Sequence, residues 1–83
     1  MYNVIILKRA QKELAELPAD AFQKLRDSIS ELIHNPRPYG CRKLTGREGW
    51  RIRIGNYRVI YEIDDQQKTI LILHVGHRRD VYH

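Results

Sequence analysis

Only one cysteine, Cys41, occurs in the 83 residues. A lone thiol makes no internal disulfide and no zinc centre built from several cysteines. No apolar run approaches the roughly 18 residues of a membrane span, so no membrane association is expected. The start of the chain, Met1-Tyr2-Asn3-Val4-Ile5-Ile6-Leu7-Lys8, has no basic stretch ahead of its short apolar run and no small-residue cleavage site. That is not a secretory signal, and a cytoplasmic protein is the expectation. Gly40 and Gly46 bracket a glycine-flanked loop without the Lys-Ser/Thr that a phosphate-cradling P-loop requires. With no ligand cluster in the sequence, neither metal nor cofactor is expected. Repeats, low-complexity stretches and interdomain linkers are absent too, so residues 1–83 are read as a single domain.

Acid is scarce in one place. Residues 37–58 carry seven basic groups (Arg37, Arg42, Lys43, Arg47, Arg51, Arg53 and Arg58) against the single acid Glu48, a local charge of +6. The formal net charge is +5, so the remainder of the chain is close to neutral. A basic excess concentrated in one segment is the electrostatic footprint of a nucleic-acid binder. The apolar content of 42% is ordinary for a folded domain and excludes a disordered chain.

The same segment contains the most informative stretch, Trp50-Arg51-Ile52-Arg53-Ile54-Gly55-Asn56-Tyr57-Arg58-Val59-Ile60-Tyr61. Two alternating runs flank Gly55-Asn56, a two-residue hairpin loop in which glycine supplies a positive φ. The implied register sets Ile54 opposite Tyr57, Arg53 opposite Arg58, Ile52 opposite Val59, Arg51 opposite Ile60 and Trp50 opposite Tyr61. One face is then apolar, and the other carries Arg51, Arg53 and Arg58 with Ile60. Like charges directly across a strand pair destabilise it. Either this is a solvated basic face, or the guanidinium groups are arranged to hold an anion such as phosphate.

Around the hairpin the chain reads as β-α-α-β-β-β. Residues 2–7 form a first strand and 8–17 a helix with Ala10, Leu14 and Leu17 at helical spacing. Pro18 ends it and opens a second helix to Asn35, with Phe22, Leu25, Ile29, Leu32 and Ile33 as its apolar stripe. Asn35-Pro36 stops that helix. Residues 37–48 are read as a connection, and Lys68–Val75 as a strand buried on both faces and broken by Gly76. The expected class is α+β, a two-helix hairpin packed on a mostly antiparallel four-stranded sheet. His74 in the last strand is read as a satisfied core histidine, not a metal ligand.

This order, the Trp50–Tyr61 segment and the ending Val75-Gly76-His77-Arg78-Arg79-Asp80-Val81-Tyr82 together resemble the RelE/ParE toxin superfamily over essentially the whole chain. The Gly-His-Arg-Arg-Asp-Val-Tyr ending resembles the RelE branch. The resemblance implies a toxin of a bacterial toxin–antitoxin pair, an endoribonuclease that cuts mRNA in the ribosomal A site without a metal. In that family the ribose 2′-OH attacks the adjacent phosphate, leaving a 2′,3′-cyclic phosphate and a 5′-OH. By motif position Arg58 corresponds to the phosphate-binding arginine, Arg78 to the arginine at the leaving group, and Tyr82 to the tyrosine that orients the reacting nucleotide. Arg51 and Arg53 stand where the best-known branch has two lysines. Arginine stays charged, so Arg53 can stabilise the transition state but is a poor general base. His77, Tyr82 and His83 are the candidates for that base. Lys43, Arg47 and Arg79 are expected to join Arg51 and Arg53 in binding RNA. The implied partners are the ribosome with its mRNA and an antitoxin whose acidic, partly disordered segment covers the basic face. The alternative is a ParE-like toxin that inhibits DNA gyrase by binding alone. A third reading keeps the fold but limits it to binding RNA or an antitoxin.

Overall fold

In the computed structural model, which describes residues 1–77, the chain runs β1 (Asn3–Ile6), α1 (Lys8–Ala15), α2 (Ala19–Leu32), β2 (Arg42–Lys43), β3 (Trp50–Ile54), β4 (Tyr57–Asp64) and β5 (Thr69–His77). The strands form one sheet in the order β1-β5-β4-β3-β2. Among the described residues only the β1–β5 pair is parallel; the others are antiparallel.

Helix α1 buries Ala10 and Leu14, and α2 buries Ala21, Leu25, Ile29 and Leu32, each on one stripe. Both stripes meet Val59, Tyr61, Ile70, Ile72 and Val75 of the sheet, which form the core with them. Pro18, at φ −57° and ψ 152°, separates the helices, and Asp20 sits in the first turn of α2, where the helix dipole favours an acid. The second helix ends at Leu32, three residues before the sequence places its stop. Its last turn tightens into i→i+3 bonds from Ile33 N–H to Ser30 O and His34 N–H to Glu31 O. The Ile33 carbonyl is then used by Tyr2 N–H at 2.9 Å, which ties the helix end to the start of β1. Among the described residues no helix is long and apolar enough to cross a membrane.

The hairpin forms with the register the sequence implies, pair for pair from Ile54↔Tyr57 to Trp50↔Tyr61. Gly55 takes φ +60°, whereas Asn56 does not turn left-handed, the pattern of a type II′ loop. Three features depart from the sequence reading. The connection after α2 contains a fifth strand, β2, whose two residues join the outer edge of β3. Gly76 does not break β5, because β4 extends far enough to pair with it through Arg58. And β5 is buried on one face only: Ile70, Ile72 and Val75 are buried, but Leu71 and Leu73 are half-exposed, since the helices cover a single side of the sheet.

One extra residue, Leu73, lies on β5 between the pairs Tyr61↔Ile72 and Ile60↔His74. Beyond it β1 has ended, and Glu13 of α1 takes over the exposed edge. Its Oε1 accepts the Val75 N–H at 2.8 Å, and its Oε2 lies 2.6 Å from Nδ1 of His74. A backbone donor that would otherwise lose its partner is thereby satisfied, and His74 is a satisfied, largely buried histidine.

Candidate nucleic-acid interface

On the sheet face away from the helices, strand register assembles cations into rows. Arg42 of β2 lies opposite Arg51 of β3, which lies opposite Ile60 of β4; His74, next in register, turns at the sheet edge to Glu13 of α1. The next row runs Arg53–Arg58–Gly76. Two like-charged pairs thus stand side by side, each repelling across the strands. Arg51 and Arg58 are half-buried while Arg42 and Arg53 are exposed.

Beside these rows the 41–47 segment folds over the sheet to make a cleft of about 760 Å³. Arg42, Lys43, Arg47 and Arg51 line it, together with Thr45 and the buried Ile60. A second hollow of about 300 Å³ is framed by Gly40, Arg42, Arg51 and Arg53. Among the described residues no carboxylate lines either of them. Planar guanidinium donors at this density suit a chain of phosphates, and none of them can act as a general base.

The structure therefore brings together Arg51, Arg53, Arg58, Lys43 and Arg47, five of the residues expected from sequence. It adds Arg42, whose place in the row depends on the pairing of β2, a two-residue strand with no pattern of its own. His77 closes β5 opposite Tyr57 and meets its ring edge-on at 5.9 Å between centroids. Its row is that of an apolar-face residue, one position beyond Gly76, the partner of Arg58. Arg78, Arg79, Tyr82 and His83 lie outside the described residues. Among those described, no group of three or more His, Cys, Asp or Glu could hold a metal ion.

Arg37, though part of the basic segment, serves the fold. It makes two hydrogen bonds to the Asp65 carboxylate, at 2.9 and 3.3 Å, and its guanidinium lies 5.1 Å from the centre of the Trp50 ring. Tyr2 donates to the same carboxylate at 2.6 Å. The Arg37 bond, seconded by Tyr2, holds the Asp65 carboxyl down at about 2. Burial pushes the Tyr61 phenol above its ordinary range; its hydroxyl donates to the Pro36 carbonyl at 2.8 Å and pins the start of the 37–48 segment.

The profile of the ParE toxin of type II toxin–antitoxin systems (parDE) matches residues 4–82, nearly the entire chain. The protein belongs to the RelE/ParE family of type II toxins. Within that family it is 33% identical to toxin RelG of Mycobacterium tuberculosis, over 98% of this chain and 95% of that one. Its fold matches a chain of the archaeal RelE–RelB complex from Pyrococcus horikoshii with a TM-score of 0.83 at 31% identity, covering 96% of this chain and 98% of that one. A chain of the M. tuberculosis RelBE2 toxin–antitoxin complex matches with a TM-score of 0.83 at 29% identity, over 93% and 98%. In this family member, then, the two-helix hairpin and mostly antiparallel sheet are the family scaffold, and the arginine rows occupy its uncovered face.

Proposed function

We propose that this toxin is a ribosome-dependent endoribonuclease that acts in the cytoplasm and cuts mRNA in the A site without a metal. The observation that carries the reading is the pair of opposed arginine rows, Arg42↔Arg51 and Arg53↔Arg58, on the uncovered sheet face. Guanidinium groups set opposite one another repel, and a phosphate between them offsets that repulsion. In the proposed reaction the 2′-OH attacks the adjacent phosphorus, its proton passing to Tyr82 rather than to His77, whose row belongs to the opposite face of the sheet. The P–O5′ bond breaks, the 5′ oxygen takes up a proton, and a 2′,3′-cyclic phosphate remains. Arg58 and Arg53 stabilise charge on the phosphoryl oxygens. Arg78 acts at the leaving oxygen, and Tyr82 orients the nucleotide. Arg51, Lys43, Arg47 and Arg79 bind the flanking backbone.

Neutralisation falls to a cognate antitoxin. An acidic, partly disordered segment covers the arginine face, and apolar residues enter the groove of about 420 Å³ bordered by Val4, Ile6, Phe22 and Ile33. That the matched solved structures include RelE–RelB complexes supports such a partner.

Primer extension on a defined message in a purified translation system tests the reading. Cuts confined to A-site codons, lost in Arg58→Ala and in Tyr82→Phe, are the expected result. Uncut message would overturn it. Because the matched family profile is that of ParE, gyrase inhibition is the second reading, and loss of supercoiling in a gyrase assay with intact message would select it.

A further inference from the structure

Among the described residues four large apolar side chains are exposed: Met1, Ile5, Leu7 and Tyr39. The first three lie in or beside β1, at one edge of the sheet. Tyr39 stands alone next to β2, at the opposite edge, and is fully exposed at 107%. Its surroundings hold it there. Tyr39 and Gly40 are the central residues of a β-turn closed by Cys41 N–H to Pro38 O at 3.0 Å. Gly40 adopts φ +92°, as the third residue of a type II turn does, a conformation that favours glycine. The chain is fixed on both sides of this turn. Before it, the Pro36 carbonyl holds the Tyr61 hydroxyl, and Arg37 is clamped by Asp65 and Trp50. After it, Arg42 and Lys43 pair with β3.

Gly40, the neighbour of Tyr39, frames the hollow that Arg42, Arg51 and Arg53 complete. We infer that Tyr39 is a stacking platform for one unpaired base of a single-stranded RNA whose phosphates run through the arginine cleft. An aromatic ring offers a face to any base, and guanidinium groups one step away take the phosphate that comes with it. A rigid turn presents the ring with little further ordering on binding. The side chains that frame the neighbouring hollow, Arg42, Arg51 and Arg53, are all cationic, which favours a polyanion over an apolar partner. The inference rests on the RNA-directed function proposed above.

Fluorescence anisotropy with a labelled 12-nucleotide RNA of mixed sequence, over a series of salt concentrations, tests it alongside primer extension on ribosomes. Tyr39→Ala is expected to weaken RNA binding by roughly 5- to 150-fold without changing the salt slope. Tyr39→Phe is expected to bind as wild type. An RNA with one abasic nucleotide at the stacked position should weaken wild type but not Tyr39→Ala. Wild-type binding by Tyr39→Ala overturns the inference and leaves the endoribonuclease reading intact. Equal losses in Tyr39→Phe and Tyr39→Ala overturn it as well, because the ring alone would then not suffice. A wild-type protein that neither binds the RNA nor cuts ribosome-bound message overturns both.

Discussion

At the end of the sheet that carries the turn of residues 65–68, acidic side chains are matched to donors: Asp65 to Arg37 and Tyr2, Asp64 Oδ1 to the Gln67 N–H at 2.9 Å. Glu62 and Asp64 lie opposite Leu71 and Thr69, so no like charges meet across the strands there. At the Gly55–Asn56 end, the same strands set Arg53 against Arg58 and, one row over, Arg51 against Arg42. One backbone scaffold thus carries acids matched to donors at one end and cations facing cations at the other. Cations facing cations suit an anion-binding face better than they suit the sheet itself.

Breaking the contrast begins at Arg58. Arg58→Ala is expected to lower message cleavage by about 10²–10³-fold, the loss typical of removing one preorganised charge-stabilising donor, with the fold retained by circular dichroism. Cleavage at the wild-type rate would reduce the arginine rows to solvated surface. At the other end, Arg37→Ala should cost about 1 kcal/mol in urea unfolding, through loss of a partly exposed bidentate pair and of stacking on Trp50. A third substitution sharpens the comparison by reversing its sign. Arg53→Thr removes one like-charged pair and should raise stability by a few tenths of a kcal/mol, up to about 1, while weakening RNA binding. A fall in stability would show that this pair is not a cost.

The smallest effect is in acid. The Asp65 carboxyl, held by Arg37 and Tyr2, titrates at about 2, below the roughly 3.9 of an unfolded chain. Its contribution is present above about pH 4 and lost as pH falls towards 2, because the unfolded state binds the proton first. Asp65→Asn should therefore flatten the melting temperature against pH between 2 and 4 and leave cleavage near neutral pH unchanged.

The arginine pairing at the heart of this contrast was legible in the sequence because a two-residue loop fixes register and alternation assigns faces. Arg53↔Arg58 needs nothing beyond Gly55-Asn56. The row containing Arg42 was not legible, since a two-residue strand is held by its neighbour and leaves no periodic trace. Arg37 was indistinguishable from the other basic residues of its segment, because its partner Asp65 is distant in sequence and found only through the sheet. Tyr39 carried no signal either: an aromatic in a Pro-Gly turn gains meaning from what stands next to it. Gly76 misled for the opposite reason, reading locally as a breaker although β4 extends far enough to pair with it.

The parallel pairing of β1 with β5 also bears on how the protein comes into being. β1, α1 and α2 are made first, yet their sheet partner, β5, is nearly the last part of the described chain to be synthesised. Contacts of such long sequence separation are slow to close. Until β5 arrives between β1 and β4, β1 has no strand to pair with, and the helices lack Ile70, Ile72 and Val75, three of the sheet residues that they cover. A chain cut short before Thr69 should therefore fail to fold as well as be inactive, which circular dichroism of such a truncation would show.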